Sequence, residues 1–425
     1  MPSEAGCLKP GAVLPMPSRA GSLAAAWLRL PTDVRLSSRT AFFLKASITL
    51  SFLAGSSAPT PLYAIYQARW GFSSTMLTTV FAIYAIAVLG SLLVAGRLSD
   101  HVGRRPVLIA AALAQAVAMA IFATADGLAA LLVGRVIQGL SAGAAIAAVG
   151  AGLLDIDRAR GTVANSVAPM IGTAVGGVIA GLMVSYLPAP LHLVYAVLGL
   201  VFVAQGIAVL FIAETASLRP GALSSLRPVV GVPTHVRGPL LLAVPALVAV
   251  WALGGFYASL GPKVIAHLAG SSSILLGGFA LFILAGTGAL SVLVFQSRDA
   301  RTLMRIGAVA LIVGVSLALL GEATRAIVLF LAGTAIAGMG FGTGFQGALR
   351  TATAAVEPHD RARVLAVVFT ISYVAMGVPA VLAGYRLALT TDIVETTREF
   401  GGVVLVLAGL ALAGTFRRSA EHRVA

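Results

Sequence analysis

Charge is scarce in this chain. Only 10% of its 425 residues are Asp, Glu, Lys or Arg, against ~25% in an ordinary soluble domain. So few charged side chains cannot solvate a soluble surface of this size, which excludes a soluble enzyme, a disordered scaffold and a collagen-like fibre. Cysteine is almost absent: Cys7 stands alone, so a disulfide framework, an iron–sulfur cluster and a cysteine zinc site are ruled out. The patterns Gly-x-x-x-x-Gly-Lys-Ser/Thr and His-Glu-x-x-His do not occur, which leaves direct ATP coupling and zinc-dependent hydrolysis without support. Alternating ten-residue segments, the mark of a transmembrane β-barrel, are missing as well.

What the chain has is apolar surface, 59% of residues with a mean hydropathy of +0.98. Its net charge of +14 lies between apolar blocks rather than on a soluble face, so nucleic acid is not an expected partner and the lipid bilayer is. A spanning helix needs about 20 mostly apolar residues. Such runs occur at 41–62, 75–95, 107–125, 128–150, 163–186, 191–213, 239–260, 274–296, 303–320, 326–347, 364–386 and 400–416. The expected fold class is therefore all-α and integral to the membrane, with twelve transmembrane helices.

Lys and Arg fix the orientation, because short cytoplasmic loops hold the excess. The loops after even-numbered spans carry most of them, from Arg97 through Arg363, whereas the opposite loops carry only Arg69, Lys263, Arg325, Arg386 and Arg398. Both termini are expected on the cytoplasmic side, as an even span count requires. Residues 1–40 read as a cytoplasmic tail, because Leu23-Ala24-Ala25-Ala26-Trp27-Leu28 is too short for a signal peptide and ends at Arg29. The stretch 214–238, with Pro220, Pro228 and Pro233, reads as a linker between six-helix halves at 41–213 and 239–416, followed by a tail at 417–425. A shift of the chain on itself places Asp157-Arg158-Ala159-Arg160 on Asp360-Arg361-Ala362-Arg363, and by the same offset Gly139 on Gly342. Parallel halves of this kind are what a duplicated six-helix transporter has.

The most specific motif is Gly96-Arg97-Leu98-Ser99-Asp100-His101-Val102-Gly103-Arg104-Arg105. Its glycines permit a tight turn and close approach, and Asp100 can accept from arginines or from a helix N-terminus. The bland reading is an ordinary basic loop. A second motif, Arg135-Val136-Ile137-Gln138-Gly139, sits inside the fourth span. An arginine at that depth is costly and by default functional, with a structural bond to a neighbouring helix carbonyl as the equal alternative.

The first motif resembles the signature between helices 2 and 3 of the major facilitator superfamily, and the second resembles that superfamily's Arg-x-x-Gln-Gly pattern in helix 4. Ala168-Pro169-Met170-Ile171-Gly172 keeps only part of the helix 5 pattern of its antiporter-type exporters, and Glu214-Thr215 and Pro59-Thr60-Pro61-Leu62-Tyr63 also look like its exporters. The resemblance covers residues 41–416. It implies alternating access about a central site, with Gly96, Asp100, Gly103, Arg104 and Arg105 latching the cytoplasmic side of the outward-open state. It further implies a secondary transporter in a bacterial inner (plasma) membrane, with efflux of small amphipathic molecules as the first reading and an uptake permease for a sugar or organic anion as the alternative. A membrane-embedded enzyme would need clustered His, Asp or Cys near one face, which the sequence lacks.

Candidate substrate-lining residues are polar or aromatic: Tyr63, Tyr66, Asn165, Trp251, Tyr257, Phe341, Gln346 and Tyr373, with Gln138 and Arg135 beside them. Each could equally fill the core or belong to an interfacial belt. Gly342-Thr343-Gly344-Phe345-Gln346-Gly347 matches a dinucleotide pattern, but it sits late in an apolar helix and reads as small-xxx-small packing. No metal or cofactor is expected. The expected partners are a small-molecule substrate and protons, and the expected state is a monomer. Asp and Glu fall in loops, tails or helix ends, which leaves Lys45 in the first span, Asp126 at the outer end of the third, and Arg135 as the charges to weigh. Arg135 cannot release its proton, while Lys45 is expected to snorkel to the cytoplasmic headgroups.

Overall fold

The computed structural model describes residues 35–217, 220–271, 273–357 and 359–421. Cys7 and most of the 1–40 tail lie outside them. Among the described residues every regular element is helical: α1 Ser38–Ser57, α2 Pro59–Trp70, α3 Ser74–Ala95, α4 Ser99–Val102, α5 Arg104–Ala123, α6 Leu128–Ile156, α7 Arg158–Tyr186, α8 Pro190–Val209, α9 Ala222–Ser225, α10 Thr234–Ser259, α11 Gly261–Ala269, α12 Ile274–Phe295, α13 Ala300–Ala323, α14 Ile327–Thr353, α15 Arg361–Thr390 and α16 Ile393–Glu421. Twelve helices among the described residues are long and apolar enough to cross a membrane, the first being α1 and α2 together. Helices suit that task because each satisfies its own backbone bonds.

Several helices reach past the apolar runs at the arginine-rich face. The fifth span begins at Arg158 rather than 163, the ninth at Ala300 rather than 303, and the eleventh at Arg361 rather than 364. Hydropathy stops at a charge, but a helix stops at its cap. Asp157 accepts from the Arg160 backbone N–H and Asp299 from that of Thr302, satisfying donors that a helix start leaves over. The twelfth span starts earlier than 400, at Ile393, and its helix runs on through Glu421 into the expected 417–425 tail.

The first and seventh spans break in the same way. Pro59 opens α2 after a bend at Ala58, and Pro262 lies in the first turn of α11 after a bend at Leu260. Each short helix then ends on a left-handed glycine, Gly71 at φ 66° and Gly270 at φ 58°, where a side chain would be strained. The duplication seen in the charged loops thus recurs in backbone shape.

Two seams join the six spans before the linker to the six after it: α7 against α12 and α3 against α15. Glycine allows the close approach. A Cβ on Gly278 would lie 2.5 Å from the Gly177 carbonyl oxygen, and one on Gly384 would meet the Thr78 side chain. At the end away from the arginine-rich loops, Lys263 Nζ donates to Ser74 Oγ at 2.8 Å across the seam. The glycines of the dinucleotide-like stretch pack as expected, Gly342 against Gly288 and Ser291 of α12 and Gly340 against Leu311 of α13.

Candidate functional site

The loop motif folds onto its own six-helix group. Gly103 takes φ 102°, and the position a Cβ would fill lies 2.6 Å from a Glu214 carboxylate oxygen. That glycine is what lets Glu214 reach the start of α5, where it accepts from the backbone N–H groups of Arg104 at 2.8 Å and Arg105 at 3.0 Å. It accepts also from those of Thr215 and Ala216, so one carboxylate caps a helix start and pins the beginning of the linker. The Arg104 guanidinium joins Asp100 at 2.5 Å to Asp155 of α6 at 3.3 Å. Arg105 donates to the Val209 and Leu210 carbonyls at the end of α8. Gly96 ends α3 as its C-cap.

Lys45 departs from expectation. It is 1% exposed, and its Nζ donates to the Gly152 carbonyl at 3.1 Å and to Thr215 Oγ1 at 3.4 Å. It does not snorkel, because Gly152 leaves room for the amine against α6: a Cβ there would sit 2.7 Å from Nζ. Thr215 in turn donates to Asp155, which ties Lys45 to the Arg104 network.

Arg135, 1% exposed, donates to the Ser56 carbonyl at 3.0 Å, to Gln138 Oε1 at 2.6 Å and to the Tyr63 hydroxyl. The rings of Tyr63, Tyr84 and Phe122 surround its guanidinium with centroids 5.4–5.8 Å away, a cation–π enclosure that compensates part of the burial. Gln138 Nε2 donates to the Gly55 carbonyl at 3.0 Å. Gly139 brings α6 against α3, where a Cβ would lie 2.6 Å from the Tyr84 carbonyl oxygen.

The lining candidates separate into two sets. Tyr66 is buried, bonded to the Tyr195 hydroxyl at 3.0 Å and stacked on Trp70. Asn165 bonds the Gly150 carbonyl at 3.0 Å, a plain helix–helix tie. Tyr257 shares a 2.9 Å bond with Thr334. Tyr63 serves Arg135. The second set lies between the helix groups: the Trp251 ring stands 5.5 Å from Phe345 and 5.1 Å from Tyr373. Tyr373, though on α15, packs into the core of the first six spans, and Phe341 touches both α10 at Gly254 and α12 at Gly288. Trp251 Nε1, Gln346 Oε1 and Ser372 Oγ are buried with no protein partner among the described residues. The sequence reading missed Phe345 and Ser372. Phe345 is one more aromatic in a chain with 18 phenylalanines, and a serine in a helix carries no signal of its own.

Glu322 is an acid the apolar runs placed outside the ninth span. It lies in the last turn of α13, 2% exposed, with Thr397 of α16 the polar side chain against its carboxylate. No His/Cys/Asp/Glu group able to hold a metal occurs among the described residues.

A family model described as Major Facilitator Superfamily matches residues 46–380. The multidrug resistance protein MdtL of Klebsiella pneumoniae (strain 342) is 40% identical over 73 residues, 17% of this chain and 19% of that protein; the matched stretch thus spans about a fifth of that relative's length. Among solved structures, the nucleoside transporter NupG superposes with a TM-score of 0.66 at 14% identity, covering 89% of this chain and 98% of that one. A bacterial homolog of the human lysosomal transporter Spinster, inward-facing and occupied, gives 0.67 at 14% identity, covering 90% and 97%. The human organic anion transporter MFSD10 gives 0.61 at 16% identity, covering 90% and 99%.

Proposed function

The chain belongs to the Major Facilitator Superfamily, and we propose that it is a secondary transporter that exports small amphipathic molecules by alternating access. Transporters of this superfamily handle small-molecule substrates within a lipid bilayer. The observation that carries the reading is the aromatic seam: Tyr373 of α15 is held in the core of the opposite helix group while its ring meets Trp251 and, through it, Phe345. Such a seam offers apolar, polarisable faces and a few uncharged polar atoms, the recognition surface of a neutral or weakly charged amphipath. The nearby cation, Arg135, is occupied by Tyr63, Gln138 and a carbonyl. The partial likeness to MdtL supports export.

The alternative, uptake of a sugar or organic anion, draws on the absence of a mid-span carboxylate able to pair a cationic substrate. In either case the chain acts as a monomer in a bacterial inner membrane, with the arginine-rich face and both termini cytoplasmic, and the motif from Gly96 to Arg105 latches the cytoplasmic side of the outward-open state. Inside-out vesicles with an imposed proton gradient test the direction. Gradient-driven accumulation of aromatic amphipaths, with raised resistance in overexpressing cells, is the expected result. Accumulation of a labelled nutrient by intact cells without any resistance overturns export.

A further inference from the structure

A groove of about 1010 Å³ runs between α1 and α7 at the arginine-rich end of the molecule. Its floor is apolar, with Phe42 and Leu50 from α1 and Val163, Val167 and Ile171 from α7. Its mouth holds Arg39, Arg160, Gln296 and one acid, Asp157, whose carboxylate is taken up by the Arg160 backbone N–H at the start of α7. The groove joins the two helix groups, because Gln296 follows α12 whereas the other lining residues belong to the first six spans. Phe43, beside the opening, is 59% exposed, too apolar a surface to face water.

The depth of the groove selects its occupant. Arg39 to Leu50 and Arg160 to Ile171 are each eleven residue steps of helix, about 16 Å at ~1.5 Å per step. That is close to half of a hydrocarbon core of ~30 Å, the length one leaflet offers to one lipid chain. Both arginines stand at the shallow end, where the headgroups lie. Arg39 is exposed, and Arg160 is 79% exposed with only a 3.6 Å pairing to Asp157, a contact too weak to hold it from a phosphate.

We propose that this groove is a binding site for an anionic phospholipid of the arginine-side leaflet. The acyl chain lies between α1 and α7, and the headgroup phosphate is held by Arg39 and Arg160. Seated there, the lipid also touches Gln296, so its occupancy bears on how α7 and α12 pack across the seam. The site is independent of what the protein carries.

The test uses the full chain in nanodiscs of phosphatidylcholine, with phosphatidylglycerol as the added probe. Phosphatidylglycerol should raise the melting temperature and copurify at defined stoichiometry by native mass spectrometry. The double variant Arg39→Gln/Arg160→Gln should bind it about thirtyfold more weakly, since each basic residue near the surface contributes roughly 1 kcal/mol and ~1.4 kcal/mol is tenfold. The charge-matched control Arg227→Gln/Arg237→Gln should not. Equal losses in the two variants would mean diffuse attraction to the face and overturn the site, as would equal stabilisation by inorganic phosphate alone. A photocrosslinking residue in place of Phe43 reads the occupant directly: a lipid adduct supports the proposal, and a crosslink to residues 1–34 overturns it.

Discussion

Gln138 donates to the carbonyl oxygen of Gly55, 3.0 Å away, at the turn of α1 where the helix cannot bond itself. The residue four positions on is Pro59, which has no N–H to give. The bend in the first span and the glutamine in the fourth are therefore one arrangement, a break in one helix and its repair from another. Arg135, a turn before Gln138, supports it by bonding both the Gln138 amide and the Ser56 carbonyl.

This relationship predicts non-additivity. Gln138→Leu alone leaves a buried carbonyl without a donor and should cost about 1–3 kcal/mol of stability. In a Pro59→Ala background the restored N–H can serve Gly55, so the same change should cost less, with a coupling of at least ~0.5 kcal/mol. Thermal unfolding of the four proteins in detergent measures it; strictly additive shifts would show that the two residues do not share that carbonyl.

Arg135→Ala should abolish transport or alter substrate preference, whereas Lys45→Ala should leave proton-driven transport mostly intact. The lysine variant should still melt earlier, because the Gly152 carbonyl loses a buried donor. Robust transport by the Arg135 variant, or loss of gradient dependence in the Lys45 variant alone, would reverse this ranking.

Asp100→Ala should shift the balance between outward-open and inward-open states, read by labelling of single cysteines at each face in a Cys7→Ser background. Unchanged populations would remove the latch role. Glu214→Gln should lower stability by roughly 1–3 kcal/mol, because bonds to an ionised acceptor are stronger than those to an amide.

Gly278→Val should force α7 and α12 apart at the end far from the arginines, where even a Cβ crowds the Gly177 carbonyl. Overpacking of this kind costs about 1–3 kcal/mol, here charged to the state in which that end is closed. Faster labelling of a cysteine near Gly177 is the expected readout; slower labelling would place the closed state elsewhere.

Lys263 contributes a pH dependence of definite sign. Burial lowers its amine below the usual lysine value, so the folded protein gives up that proton more readily than the unfolded chain. Stability should therefore rise with pH between the lowered folded value and the unfolded one near ~10.4. Lys263→Met removes the slope in that window. A slope that survives the substitution would assign it to another group.

Hydropathy, arginine placement and the two charged loops around Asp157 and Asp360 are local properties of the chain, and they suffice to read a membrane protein of twelve helices with a duplicated plan. The sequence by itself also located the loop from Gly96 to Arg105 and the Arg135 motif. What each residue touches was decided only by tertiary structure. Lys45 turns inward because Gly152, more than a hundred residues away, leaves it space, and Glu214 caps α5 because Gly103 has no Cβ. Of the aromatic candidates, Tyr66 and Tyr257 found partners within their own helix groups while Trp251 and Tyr373 met at the seam. All four are aromatic side chains on apolar helices, and only the packing of one helix against another separates a core ring from a ring at an interface.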